Sequence, residues 1–223
     1  MRKTTAFAGL GLAAALVLSG CATTAGEEAP TDGADAPAMI DTVNSDGSAL
    51  RAQLTALLAD HVYLAAAAID QAVADGGDLT TDDVQAAVAV LDENSVEVAA
   101  LVGSAYPDAE QPFLDSWRSH IPFFVNYTLG KATGDEAPAE QAVADLNGYA
   151  VSFGQLINSV VPELPAEAVQ GELEMHAVSL LAAIDANLAG DPEYFSLLKD
   201  AAGHMPMTAT ALAGGIAANL GLQ

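Results

Sequence analysis

The sequence predicts an all-α protein, an up-and-down bundle of about six helices that contains a duplicated helical hairpin. Three observations predict it. Apolar residues recur at helical spacing through almost all of residues 48–223, with no convincing run of period-2 alternation. Gly, Pro and Asp cut that stretch into six segments with short connections, so neighbouring helices should run antiparallel. Two hairpin-sized stretches also match one another at a fixed offset.

Ahead of the bundle the chain reads "MRKTTAFAGLGLAAALVLSGC". Arg2 and Lys3 make a basic n-region, and residues 5–18 make an apolar h-region of signal-peptide length. That run is too short to cross a bilayer, which takes about 20 apolar residues. Leu18-Ser19-Gly20-Cys21 resembles the lipobox of bacterial lipoproteins. The resemblance implies cleavage after residue 20 and a lipid on Cys21, the single cysteine of the chain. Two acyl chains would anchor firmly, since each buried CH₂ contributes about 0.8 kcal/mol. Lipidation would leave no thiol for a disulfide. Residues 21–47, rich in Ala, Gly, Pro, Thr and acids, lack the apolar surface to offset ordering entropy and read as a tether. Residues 48–223 then suffice for one domain with its own core.

The six helices follow in order. Helix one, 48–74, carries Leu54, Leu58, His61, Leu64 and Ala68 on one side and ends at "DGGD". Helix two, 81–105, opens on "TTDD", an N-cap with acids in its first turn, and stops before Pro107. Helix three, 110–132, contains "SHIPFF", and helix four, 139–160, stops before Pro162. Helix five, 165–189, contains "EMHAV", and helix six, 192–220, contains "GHMPM". In the duplication, residues 87–108 align with 142–163 at an offset of 55, pairing Leu91 with Leu146, Val96 with Val151 and Pro107 with Pro162. Residues 119–135 align with 175–191 at an offset of 56, pairing His120 with His176.

The duplication draws attention to the histidines. The chain has four: His61, His120, His176 and His204, on helices one, three, five and six. With a helical rise of about 1.5 Å per residue, all four fall near mid-height of the bundle. Glu97 on helix two reaches the same level, as do Ser152, or Asn147 and Tyr149, on helix four. His120-Ile121-Pro122 and His204-Met205-Pro206 each place a helix-disrupting Pro beside a His, where a kink is expected. Imidazole and carboxylate pointing into a bundle core can hold a transition metal. His61, Glu97, His120, His176 and His204 are the candidate ligands, for copper, zinc or iron. Met175 and Met207 are secondary candidates, as thioether donors to copper. A buried His taken singly is more often a core residue bonded to a neighbour, and Met is the usual gap-filler of cores.

Composition and missing motifs narrow the function. The chain holds 30 acidic and 6 basic residues, a formal charge of −24. Removal of residues 1–20 would take it to −26, with four basic residues left. Such a surface repels phosphate backbones, so nucleic acid is excluded as a partner. No Glu-x-x-His pair, His-Glu-x-x-His run, Gly-x-Ser-x-Gly elbow or phosphate-binding Lys loop occurs, and nothing amounts to an assembled catalytic site.

"LLADHVYLAAAAI" (57–69) and "SWRSHIPFFVNYTL" (116–129) resemble an uncharacterised group of bacterial six-helix proteins whose helices open with Leu-x-x-Asp-His-hydrophobic. "NSVEV" (94–98) is similar to the group's Asn-x-x-Asp segment on helix two, with Glu97 in the acid's place. Only His61 keeps the preceding acid, as Asp60; Ser119, Met175 and Gly203 stand there elsewhere. The resemblance implies the six-helix fold and no activity. The expectation is a lipid-anchored, extracytoplasmic helical bundle with a binding role, its His/Glu layer the ligand site and the membrane reached through Cys21. The alternative is a structural or protein-interaction lipoprotein whose histidines are core residues.

Overall fold

The computed structural model describes residues 45–222, so the signal segment and Cys21 lie outside the described residues. Among the described residues the chain is helical and has no strand. The helices are α1 (Asp46–Ala74), α2 (Asp82–Ala105), α3 (Glu110–Ser119), α4 (Ile121–Thr133), α5 (Glu136–Val160), α6 (Ala166–Leu188) and α7 (Tyr194–Leu220). A single 3₁₀ turn, Pro107–Ala109, leads into α3.

Helix α1 begins slightly ahead of the expected tether boundary, because the Ser45 hydroxyl accepts from the Ser48 N–H and caps it. Thr81 does the same for α2 through the Val84 N–H, and Asp135 for α5 through the Ala137 N–H. The expected third helix is two helices. Pro122 has no N–H to continue the ladder, so α3 ends at Ser119 and α4 restarts at Ile121, with His120 at the joint. At the duplicated position α6 has Val178 and runs unbroken through His176. Pro206 has less effect: it lies on the exposed face of α7, which is continuous across it.

The duplication extends to backbone and burial. Tyr106 and Val161, the C-caps of α2 and α5, share an extended conformation (φ −135°, ψ 80° and φ −126°, ψ 85°). Gly134 and Gly190 both take positive φ after the second helix of each hairpin. At the offset that relates the two hairpins, Leu91 and Leu146, Asn94 and Tyr149, and Val98 and Phe153 are buried in pairs. Val96 and Val151 are paired on the outer faces instead.

Each helix packs on its neighbours in sequence, and α7 returns to pack on α1, so α3 and α4 together form one member of a closed ring of six. Inside the ring α1, α4 and α6 touch one another. These three are alternate members of the ring: α1 and α6 carry His61 and His176, and His120 is the residue that immediately precedes α4. Helix α1 is long and apolar enough to cross a membrane by length and composition, but its apolar residues Leu54, Leu58, Val62 and Ile69 are buried in the bundle core.

Gly154 of α5 lies against the backbone at the start of α6. A Cβ there would run into the backbone carbonyl of Ala166, which a rotamer change cannot relieve. Gly154→Ala is therefore expected to lower unfolding stability by about 1–3 kcal/mol despite the better helix propensity of Ala. Gly148→Ala, which meets nothing within 4 Å on the same helix, should leave stability equal or higher. Urea denaturation of both variants checks the contrast.

Candidate functional site

His61 and Asn94 face each other between α1 and α2, 3 % and 4 % exposed. The Asn94 amide nitrogen donates to the Leu57 carbonyl at 3.0 Å, which fixes which way the amide points. Its oxygen, 3.0 Å from His61 Nδ1, must then accept, so Nδ1 carries the proton and His61 Nε2 is a bare acceptor. His120 Nε2 lies 3.4 Å from His61 Nε2 and completes the chain as a donor. His120 is thereby the Nε2–H tautomer and its Nδ1 is an acceptor without a partner. The carbonyl of Trp117 beside it would favour the charged ring but makes no well-aligned hydrogen bond.

Aromatic rings close this polar centre. Trp117 packs on both His61 and His120 with ring centroids 5.0 Å away, and Tyr149 lies 4.9 Å from His120. Phe124 stands edge-on between His120 and His176. Five buried side-chain polar atoms lack a partner among the described residues: Trp117 Nε1, His120 Nδ1, Tyr149 Oη, His176 Nδ1 and His204 Nε2. Four of the five, all but His204 Nε2, belong to residues that border one small void, Trp117, His120, Tyr149 and His176.

Burial dominates the electrostatics. It pulls His61 down to about 4, against a smaller upward effect of the Asn94 hydrogen bond. It also lowers His176 to about 3, helped by His61 and His204, and holds His120 well below the usual imidazole range, helped by His61 and His176. Burial likewise keeps the Tyr149 hydroxyl protonated far above its ordinary range. At neutral pH this is a centre of three uncharged imidazoles.

His204 stands apart. Its Nε2 lies 3.0 Å from a Glu172 carboxylate oxygen without hydrogen-bond alignment, and the Thr208 hydroxyl donates to that same oxygen at 3.0 Å. His61, His120 and His176 instead border one cavity, which His204 does not reach. The expected layer of four histidines is thus a group of three, with a neighbouring His–Glu pair.

Three expected site residues are corrected. Glu97 is exposed on α2, and the inward residue is Asn94, which shares the core face with Leu91 and Val98. Met175 and Met207 are 52 % and 58 % exposed, so they neither join the layer nor fill the core. Met175 precedes His176 by one residue and points about 100° away from it on the helix. Met207 follows His204 by three, but His204 already sits near the edge of the core face, so a further step turns outward. Among the described residues no group of three or more His, Cys, Asp or Glu side chains is arranged to hold a metal ion. On α5 the inward candidate is Tyr149, whereas Asn147 and Ser152 face out.

The cavity itself measures about 320 Å³, at the lower end for a small-molecule site. It follows α1 from His61 to Val73, about 18 Å of helical rise. Val84 to Leu91 of α2 and Ile121 to Thr133 of α4 form its other walls. The three imidazoles form the deep end, and Gly76, Val88 and Thr133 surround the exposed end. No Asp, Glu, Lys or Arg lines it. The space exists because α1 presents Ala65, Ala68 and Ala72 where larger side chains would close it.

No family model, no curated protein and no solved structure matches this chain.

Proposed function

We propose that the protein is a lipid-anchored binding protein of the cell envelope, held to the membrane through Cys21, whose bundle takes a small, mainly apolar molecule into the cavity above His61, His120 and His176. The observation that carries this reading is the combination of a long, mainly apolar slot that no charged side chain lines with three imidazoles at its deep end. That is the usual anatomy of a small-ligand site, apolar walls with a few convergent polar groups. A histidine that is merely core material is hydrogen-bonded, as buried polar groups generally are. His61 fits that description with both nitrogens, whereas His120 and His176 each keep a buried Nδ1 without a partner. The anchor rests on the lipobox-like segment.

A transition metal is the second reading, favoured by one distance. Two imidazole nitrogens on one tetrahedral ion, with bonds of about 2.0–2.1 Å, stand roughly 3.3 Å apart. His61 Nε2 and His120 Nε2 are 3.4 Å apart. A third protein donor is missing from the described residues.

Titration with the apolar fluorophore N-phenylnaphthylamine tests the main reading. The purified protein should saturate with a single class of site and enhanced emission. Val88→Trp, at the exposed end, and Ala72→Phe, in the wall, should each weaken binding tenfold or more. Absence of saturable binding would overturn the reading. Elemental analysis finding one zinc, copper or iron per chain would replace it with the metal.

A further inference from the structure

We infer that the cavity takes the tail of a single-chain amphiphile with a positively charged head, the tail running in to the imidazole floor and the head staying at the mouth. This rests on the cavity being a small-molecule site and goes on to assign the class and orientation of its ligand. The break at His120 divides the third member of the ring and leaves one flank of the slot open. Helix α2 packs on α3, whereas α4 packs on α5, and Val84 and Val88 of α2 and Val125 and Leu129 of α4 line the walls between them. Burial rises along the slot: Val88 is exposed, whereas His61 and His120 are buried. A charge at the buried end would lose its water with no counter-charge, because no charged side chain lines the slot. That end offers a polar group little else. Both nitrogens of His61 are engaged, and the Nδ1 atoms of His120 and His176 lie beneath the surface. Hydrocarbon is what gains by entering there.

The mouth selects the head. Asp75 and Asp78 flank Gly76 and Gly77, Asp82 and Asp83 immediately precede Val84, and Asp135 follows Thr133 by two residues. All five thus stand within two residues of one that lines the slot, about 8 Å or less along the chain and comparable to the Debye length at physiological salt. The one basic residue in these turns, Lys131, lies 3.5 Å from Glu136, a further acid of the same turn. A carboxylate or phosphate head at this rim meets like charge, and an ammonium head meets unlike charge. Tail length follows from the slot, which runs along α1 for about 18 Å. An extended hydrocarbon advances about 1.3 Å per CH₂, given C–C bonds of about 1.5 Å, so about fourteen carbons reach from the mouth to the floor.

The test is displacement of bound N-phenylnaphthylamine at neutral pH by alkyltrimethylammonium ions and alkyl carboxylates, octyl to hexadecyl, each below its micelle concentration. Affinity should rise about fourfold per CH₂ and level off near the tetradecyl compound. At equal tail length the ammonium should displace the fluorophore at about tenfold lower concentration than the carboxylate in low salt, and the ratio should shrink in high salt. Asp78→Asn, Asp83→Asn and Asp135→Asn combined should cut that ratio by about threefold or more. Asp108→Asn, Asp115→Asn and Glu167→Gln, which remove as much charge away from the mouth, should leave it within about twofold. Ala65→Leu, one turn above the floor, should spare octyl binding and weaken tetradecyl binding about tenfold, because about two CH₂ groups no longer fit. Near-ultraviolet circular dichroism identifies a variant that has lost its packing, and the others then decide. Carboxylates that match the ammonium ions, no levelling with chain length, equal loss of octyl and tetradecyl binding in folded Ala65→Leu, or equal effects of the two charge variants would each overturn the assignment and leave the cavity reading standing. Failure of the fluorophore to bind the unmodified protein would remove the reading beneath it.

Discussion

Acidification from pH 7 to about pH 5 is expected to remove a large part of the stability of this protein. His61 and His176, lowered to about 4 and about 3, stay neutral in the folded chain across that range. The same rings in the unfolded chain titrate near 6.5. The unfolded state therefore binds more protons, so stability is full above about 6.5 and falls as pH drops toward the folded values. Each pH unit below 6.5 removes about 1.4 kcal/mol per group, or roughly 4 kcal/mol for the two at pH 5. His120, also held well below the usual imidazole range, adds in the same direction. Domains of this size have about 5–15 kcal/mol in total. The thirty carboxylates act oppositely, since protonating them relieves self-repulsion, but they titrate mainly below pH 5. Denaturant unfolding at several pH values measures the effect. His176→Phe should flatten the profile, so that its difference from the unmodified protein changes by about 1.4 kcal/mol per pH unit below 6.5. A level profile between pH 7 and 5 would contradict the neutral, buried assignment of the three rings.

Much of this architecture can be read from residue patterns, and the limits have physical causes. The duplication is legible because both hairpins keep Pro after the first helix and Gly-Asp after the second, and those residues set the same turns. The position of Pro122 is legible too, but its effect is not. Pro206 has the same spacing from its His and leaves α7 continuous, whereas Pro122 divides two helices, so tertiary packing decides whether a Pro bends or breaks. The histidines stand out because they are few and three recur on alternate helices. Level alone misplaces their partner on α2: Asn94 and Glu97 share one turn, and height along the axis cannot separate them. Rotation can, because Asn94 falls in the Leu91–Val98 register and Glu97 does not. Trp117 and Tyr149 carry no motif and join the site only through long-range packing. The cavity is hardest to foresee, because it is made by what the "LAAAAI" run of α1 lacks, and empty volume depends on the shapes of α2 and α4 opposite.

The same contrast between Asn94 and Glu97 leads to the second large effect. Asn94→Ala is expected to lower stability by about 2–4 kcal/mol. It leaves the His61 Nδ1–H without an acceptor at a site 3 % exposed, which costs about 1–3 kcal/mol. It also removes the bond to the Leu57 carbonyl, worth about 0.5–1.5 kcal/mol net, and opens a gap between α1 and α2. Glu97→Ala, one residue short of a full turn away and exposed, should change stability by no more than about 0.5 kcal/mol. Stability alone would not separate an oriented histidine from a lost packing contact, so the ring proton supplies a second readout. Nitrogen-15 shifts of the His61 imidazole should report an Nδ1-protonated ring in the unmodified protein. In Asn94→Ala the ring has no acceptor at Nδ1, and the proton should redistribute toward Nε2. That would reverse or break the bond to His120, because two Nε2–H groups cannot point at each other across 3.4 Å. If Glu97→Ala proved the more damaging change, or the His61 ring kept its proton on Nδ1 without Asn94, the chain Leu57–Asn94–His61–His120 would not be what sets the chemistry of the cavity floor.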